Sequence, residues 1–370
     1  MQALFGNVLN FTWQGGLMIL IGLTLVYLAI KREMEPALLL PMGFGAILVN
    51  LPFVNTGAIE TLFNAGIASE LFPLLLFIGI GAMIDFGPLL SNPKMLLFGA
   101  AAQFGIFFTL AMASLLGFDF KDAASIAIIG AADGPTSIYV ANYFHSQYQG
   151  AIMVAAYSYM ALVPIVQPPV IRLCTTRKER LIRMPYHPSS VSTTTRILFP
   201  IIVTVIAGTI APKSAELVGF LMFGNLVREC GVLGSLSESA QHELANLITL
   251  MLGIAVAFKM QASSFVTLET LAIILLGLIA FIFDTVGGVL FAKLLNLFLK
   301  NKINPMIGAA GISAFPMSSR VVHKMGLKED RQNFLLMHAA GANVSGQIAS
   351  VIAGGLVITL IENLINSMPK

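Results

Sequence analysis

The sequence predicts an all-α polytopic membrane protein made of two inverted repeats, each with about five transmembrane helices plus a broken, re-entrant hairpin. Three observations lead there. First, 57% of the 370 residues are apolar and only 11% are Asp, Glu, Lys or Arg, against roughly 25% charged in a soluble domain. With a mean hydropathy of +0.86, the chain has too few charges to clothe a water-soluble surface and too much apolar content to stay disordered. Second, continuous apolar runs recur at about 13–30, 36–52, 70–85, 95–117, 150–171, 197–211, 214–229, 244–258, 268–290 and 334–361. They approach the ~20 residues of a helical span and lack the alternation of a barrel strand. Third, the chain repeats itself: IGAADGPTSIYV at 129–140 matches IGAAGISAFPMS at 307–318, FIGIGAMIDF at 77–86 matches LGIAVAFKMQ at 252–261, and PMGFGAILVN at 41–50 matches FLMFGNLVRE at 220–229.

The first run is preceded by MQALFGNVLNFTWQGG, which holds no Lys or Arg, so it reads as a retained helix and not as a cleaved signal. Two further stretches, 122–144 and 303–322, are apolar but carry Gly, Pro and polar residues at their centres. The positive-inside rule decides how they sit. If both are hairpins and the N-terminus is outside, only Lys121, Lys213, Lys259 and Lys370 of the 21 Lys and Arg fall outside, leaving 17 in the cytoplasm. If both cross fully, the split becomes nine against twelve and the basic loop RKERLIR at 177–183 lands on the wrong side. The hairpin arrangement follows. Each half then has an odd number of crossings, which turns the second copy upside down, the plan of an alternating-access core. The halves are 1–172 and 197–370, joined by a basic cytoplasmic linker at 173–196. Cys174 and Cys230 lie near the reducing face, as free thiols. The near balance of 21 basic and 18 acidic residues makes nucleic acid an unsuitable partner.

Chemistry concentrates at the two breaks. In GAADGPT, glycines and Pro135 interrupt the helix, and Asp133 places a carboxylate at membrane depth, where it needs a cation or a proton. Thr136 and Ser137 add hydroxyls. The second break has Asn304, Pro305, Gly308, Gly311 and Ser313 but no acid. The run 334–361 adds Asn343, Ser345 and Gln347, and its counterpart in the first half adds Tyr157, Tyr159 and Gln167. Many neutral oxygens and one negative charge suit a hard monovalent cation, Na⁺; the five scattered His and two Cys offer no zinc or copper set. Gly308 and Gly346, taken alone, read as packing glycines. Asp284 stays open between a substrate path and pairing inside the bundle. Asp85 and Lys259 read as snorkelling residues, and His338 as a hydrogen-bonded core histidine ahead of a proton shuttle.

The motifs GAADGPTSIYV, GNLVRECGVLGSLS, NPMIGAAGISAFPMSSRVV and HAAGANVSGQIAS resemble the β subunit of the sodium-pumping biotin-dependent decarboxylases, which act on oxaloacetate, methylmalonyl-CoA or glutaconyl-CoA. The resemblance runs from about residue 15 to 365. It implies a membrane subunit that decarboxylates carboxybiotin, exports Na⁺ and takes up a proton. The carboxybiotin is presented by a partner, a carboxyltransferase α subunit or a biotin carrier, and a small γ membrane subunit anchors the complex. A homo-oligomer in the bacterial inner membrane is expected. The resemblance further implies catalytic roles for Asp133, Tyr159 and Ser313. It implies Na⁺ binding by Asp133, Asn304, Gly308, Ser313 and Asn343, with the ion itself at Asp133, Asn343 and Ser313. Residue types alone leave an alternative, a secondary Na⁺-coupled carrier of a small organic anion. An open channel fits two asymmetric hairpins with a single acid less well.

Overall fold

A computed structural model describes residues 11–52, 54–186 and 191–367. The first half runs α1 (Trp13–Arg32), α2 (Pro36–Val49), α3 (Gly57–Phe63) with a π turn (Asn64–Ala68), α4 (Leu71–Met83), α5 (Gly87–Ser91), α6 (Leu96–Ala101), α7 (Phe104–Leu115), α8 (Phe120–Ala127), α9 (Gly134–Tyr143) and α10 (Gln149–Cys174). The short α11 (Arg177–Arg180) lies in the linker. The second half runs α12 (Thr193–Ile210), α13 (Ala215–Glu229), α14 (Gly234–Ser239) with a π turn (Ala240–Leu244), α15 (Ala245–Val256), α16 (Ala262–Phe265), α17 (Leu268–Phe298), α18 (Met306–Ala309), α19 (Met317–Glu329) and α20 (Leu336–Ser367). There is no strand among the described residues. Starts are set by side chains that satisfy free helix N–H groups: Thr12 accepts from Gly15 N at 3.1 Å, Ser192 from Thr195 N at 3.1 Å and Thr267 from Thr270 N at 3.1 Å.

Every apolar run becomes helix, but not every helix is long enough to span alone. Among the described residues, seven helical segments are long and apolar enough to span alone, and α3 with α4 forms an eighth, bent by 61°. The runs at 36–52 and 214–229 form shorter helices. Their helices have 14 and 15 residues, roughly 21–23 Å at 1.5 Å per residue, short of a ~30 Å hydrocarbon core. Protein, not lipid, covers much of both. The face of α2 that carries Gly45 meets α15, and Gly224 of α13 meets the backbone of α4 at Ile78.

The interrupted stretches are hairpins whose ends meet. At the base of the first, Ser146 Oγ donates to Asp122 Oδ1 at 2.6 Å, joining the start of α8 to the residues just past α9. At the base of the second, Asn304 Nδ2 and Asn333 Nδ2 both donate to the carbonyl of Arg180 at 2.9 Å. The arm α19 continues to Glu329, beyond the expected boundary at 322. The two bases lie at opposite ends of α20. Asn333 precedes its N-terminus, while near its C-terminus Glu362 accepts from Tyr143 of the first hairpin at 2.5 Å and pairs with Lys213 at 3.4 Å. Lys121 lines a cavity at this second end. Arg180, Arg183 and Lys293 gather at the first, through Arg180–Glu329 at 2.8 Å, Arg183–Asp330 at 2.5 Å and Lys293–Glu179 at 3.2 Å. Lys370 lies outside the described residues.

Candidate functional site

The break of the first hairpin is made by local backbone chemistry. Ala132 takes a left-handed conformation, φ 51°, which ends the turn at Ile128–Ala131 and throws Asp133 into an extended one. Asp133 then caps α9, with Pro135 in the first turn, where its missing N–H is harmless. The carboxylate, 2% exposed, therefore sits at the positive end of a half-helix. Four donors converge on it: Thr136 N at 3.3 Å, Thr136 Oγ1 at 2.7 Å, Ser350 Oγ at 2.8 Å and Gln347 Nε2 at 3.4 Å.

The second break reaches the first directly. Ser313 donates to the Ala131 carbonyl through Oγ at 2.6 Å and through its backbone N at 3.2 Å. Asn343 Nδ2 donates to Ile312 O at 2.7 Å. Asn343, Gln347 and Ser350 share one face of α20, so that helix holds the second break with its first side chain and Asp133 with the other two. Gln167 of α10 ties down the second hairpin, donating to Ala309 O at 2.7 Å and Ser318 Oγ at 2.9 Å.

Of the residues to which the resemblance assigns catalysis or Na⁺ binding, Asp133, Ser313 and Asn343 come together around the two breaks. Asn304, Gly308 and Tyr159 are placed elsewhere. Asn304 is spent at the hairpin base: its Oδ1 accepts from Met306 N at 3.1 Å and its amide holds Arg180 O and Ile182 O. Gly308 meets Gly288 of α17 backbone to backbone, leaving no room for a side chain on either. The Tyr159 hydroxyl donates to the Ile274 carbonyl of α17. Tyr157, two residues earlier, is the tyrosine whose ring lies against Gly134 beside Asp133. Ser345 turns away to Gly99 N at 2.9 Å. Ser350 is a site neighbour that the sequence reading passed over. Its signal was the i, i+4, i+7 spacing with Asn343 and Gln347. Asp85 is half exposed and pairs weakly with Arg196 at 3.7 Å, while Lys259 lies over the Phe63 ring at 5.0 Å. His338 packs edge-on against Tyr186 at 5.6 Å.

Two buried oxygens here have no hydrogen-bond partner among the described residues, Asn343 Oδ1 and Tyr157 OH. Unsatisfied acceptors are costly in an apolar interior, and oxygen donors beside a carboxylate are the ligand chemistry of an alkali cation. The residues present therefore fit a transported Na⁺. A separate cavity of about 630 Å³ opens beside the second hairpin, between α10 and α19, with Glu33, Arg172, Arg320, Lys324 and Lys328 on its wall.

Comparison with known proteins adds the lineage. The family model for the Na⁺-transporting oxaloacetate decarboxylase beta subunit matches residues 14–361. The methylmalonyl-CoA decarboxylase subunit beta of Veillonella parvula is 50% identical over 358 residues, covering 96% of this chain and 95% of that one. The glutaconyl-CoA decarboxylase subunit beta of Acidaminococcus fermentans is 49% identical, covering 95% and 94%. A probable oxaloacetate decarboxylase beta chain of Vibrio cholerae is 42% identical, covering 96% and 97%.

Proposed function

This chain belongs to the Na⁺-transporting oxaloacetate decarboxylase beta subunit family, and from that premise we propose that it couples carboxybiotin decarboxylation to Na⁺ export through Asp133. It is a multi-pass membrane subunit of a decarboxylase that works in a complex, which sets aside the stand-alone anion carrier. The observation that carries the proposal is the contact of the two breaks, Ser313 on Ala131 O, one residue from the left-handed Ala132 and two from Asp133.

In this reading 1–172 and 197–370 act as inverted copies, with 173–196 as their cytoplasmic linker. Asp133 holds either Na⁺ or a proton, and Asn343 and Tyr157 offer the oxygens that complete the cation's shell. The Ser313 hydroxyl reports the occupancy of the first break to the second. Asn304 and Gly308 act through the posture of the second hairpin, and Tyr159 by holding α10 to α17. The cavity with Arg172, Arg320, Lys324 and Lys328 receives the carboxylate, because four cations there face a single acid, Glu33. When bound, carboxybiotin supplies the carboxyl group whose release as CO₂ consumes a proton and drives the cycle. A carboxyltransferase α subunit or biotin carrier delivers it to this face, a small γ subunit completes the membrane part, and copies of the chain assemble as a homo-oligomer.

The test is Asp133→Asn in the assembled complex. The amide keeps the shape but can neither bind a proton nor balance Na⁺. Decarboxylation should lose its Na⁺ dependence and fall by about a hundredfold or more, with normal membrane insertion. Wild-type Na⁺ uptake by inverted vesicles carrying this variant would refute the assignment.

A further inference from the structure

A second acid lies at membrane depth with no role in the site above. Asp284, in the middle of α17, is fully buried. Its Oδ1 accepts from the backbone N of Gly105, at the start of α7. Its Oδ2 has no partner among the described residues and faces Gly130, in the turn that precedes the first break: a Cβ on Gly130 would stand 3.0 Å from it. Ala131, the next residue, is the one whose carbonyl Ser313 holds. Asp284 therefore sits behind the same break that Asp133 faces from the front.

The surroundings select the ligand. What a Cβ on Gly130 would meet besides Oδ2 is the Ala280 methyl and backbone, which bring no oxygen for Na⁺. No cation pairs with Asp284 among the described residues. Of the elements packed on α17, α6, α7 and α18 carry no ionisable residue. On α8, Lys121 and Asp122 lie at the far end; α10 offers Tyr157, Tyr159, Cys174 and Arg172, and α17 itself Glu269 and Lys293 near its ends. Asp133 follows the 128–131 turn. Two more buried polar atoms without partners among the described residues belong to the seam's other wall, Gln103 Oε1 just before α7 and Thr109 Oγ1 one turn past Gly105. A bare carboxylate is not sustainable in such a place, whereas a neutral carboxyl is.

Resting on the Na⁺/H⁺ reading of Asp133, we propose that Asp284 is a second proton-binding carboxyl, which carries the consumed proton along the α6–α7 and α17 seam to the back of the first hairpin's break. The proton resides on Oδ2, the oxygen not engaged by Gly105, and passes on when the break moves. Asp284 thereby separates proton delivery from cation binding, so that the two ions need not enter by one door.

The complete complex in membrane vesicles is treated with dicyclohexylcarbodiimide, which forms a stable N-acylurea with protonated carboxyls in apolar surroundings, and labelled peptides are read by mass spectrometry. Asp284 should be labelled equally with and without Na⁺, whereas Na⁺ should protect Asp133. Asp284→Asn retains an acceptor for the Gly105 N–H. It should slow decarboxylation about tenfold or more and flatten its dependence on external pH, with an unchanged half-saturation for Na⁺ and recovery in Asp284→Glu. No label on Asp284 at any pH from acid to neutral, or a wild-type pH profile in a correctly inserted Asp284→Asn, would overturn the proposal. Labelling is read without pumping, so a failure of the Asp133 assignment shows separately, as Na⁺-independent labelling of Asp133.

Discussion

A carboxylate at membrane depth is tolerable only where its charge is answered, and Asp133 is answered by a half-helix N-terminus, two hydroxyls and an amide. Ser350 supplies the hydroxyl that arrives from outside the hairpin. Ser350→Ala should therefore cost about 1–2 kcal/mol of this local arrangement, read as a several-fold change in Na⁺ half-saturation at constant expression. An unchanged half-saturation would leave Ser350 a packing residue. Ser313→Ala removes the side-chain half of the inter-break contact and keeps the backbone half. It should weaken Na⁺ dependence more than thermal stability, checked by decarboxylation against Na⁺ at two pH values. Much of this was legible in the chain. An acid in GAADGPT has no cheap explanation in lipid, and GANVSGQIAS reads as one polar helix face. The choice between tyrosines was not legible: Tyr157 and Tyr159 differ by two residues and so face different ways around α10, and only packing tells which meets Asp133.

The hairpins are pinned differently at their bases. The first is closed within itself by Asp122 and Ser146, the second through the linker by Asn304, Asn333 and Arg180. Ion pairs strengthen the second base. The hydrogen bond from Arg183, with that from Gln332 N–H, holds the Asp330 carboxyl below its usual range. The pair's contribution is thus fully present at and above the ordinary carboxylate pKa, and is lost only as pH falls through the depressed value. Spin labels on the linker and on α19 should keep their separation from neutral pH down through the ordinary carboxylate range and move apart only below it. In Arg183→Gln the separation should grow at higher pH. Separation already rising near neutral pH in the wild type would contradict this. Midway along the second hairpin, the close approach of Gly308 to Gly288 leaves no space for a methyl group, so Gly308→Ala should destabilise it by about 1–3 kcal/mol, measured as a lowered melting temperature of the purified complex. Charge counting alone predicted that both stretches turn back. It could not predict the reach of α19 to Glu329, since the hydrophilic sequence MSSRVVHKMGLKE gives no apolar signal.

Across the molecule, the halves share the order of their elements, down to a five-residue π turn in each third element, and they interlock. α4 lies against α13 and α15 against α2, so each half's third element rests on the other half's second. Self-similarity of the sequence pointed to two stretches with the same order of helices. It did not announce that α2 and α13 would be too short to cross alone, because a run of apolar residues looks the same whether lipid or protein covers it. The interlocking has a consequence for how the chain is made. When synthesis has passed the linker but not yet reached α13, the groove of α4 that will take it holds Gly81, a bare stretch of backbone awaiting a neighbour. Until α13 emerges, that face of the nascent first half lacks the neighbour that covers it in the finished chain. Genes divided within the linker should give two fragments that are each degraded when expressed singly and that restore pumping when produced together. A first fragment that accumulates alone as a protease-resistant membrane protein would show instead that each half matures unaided.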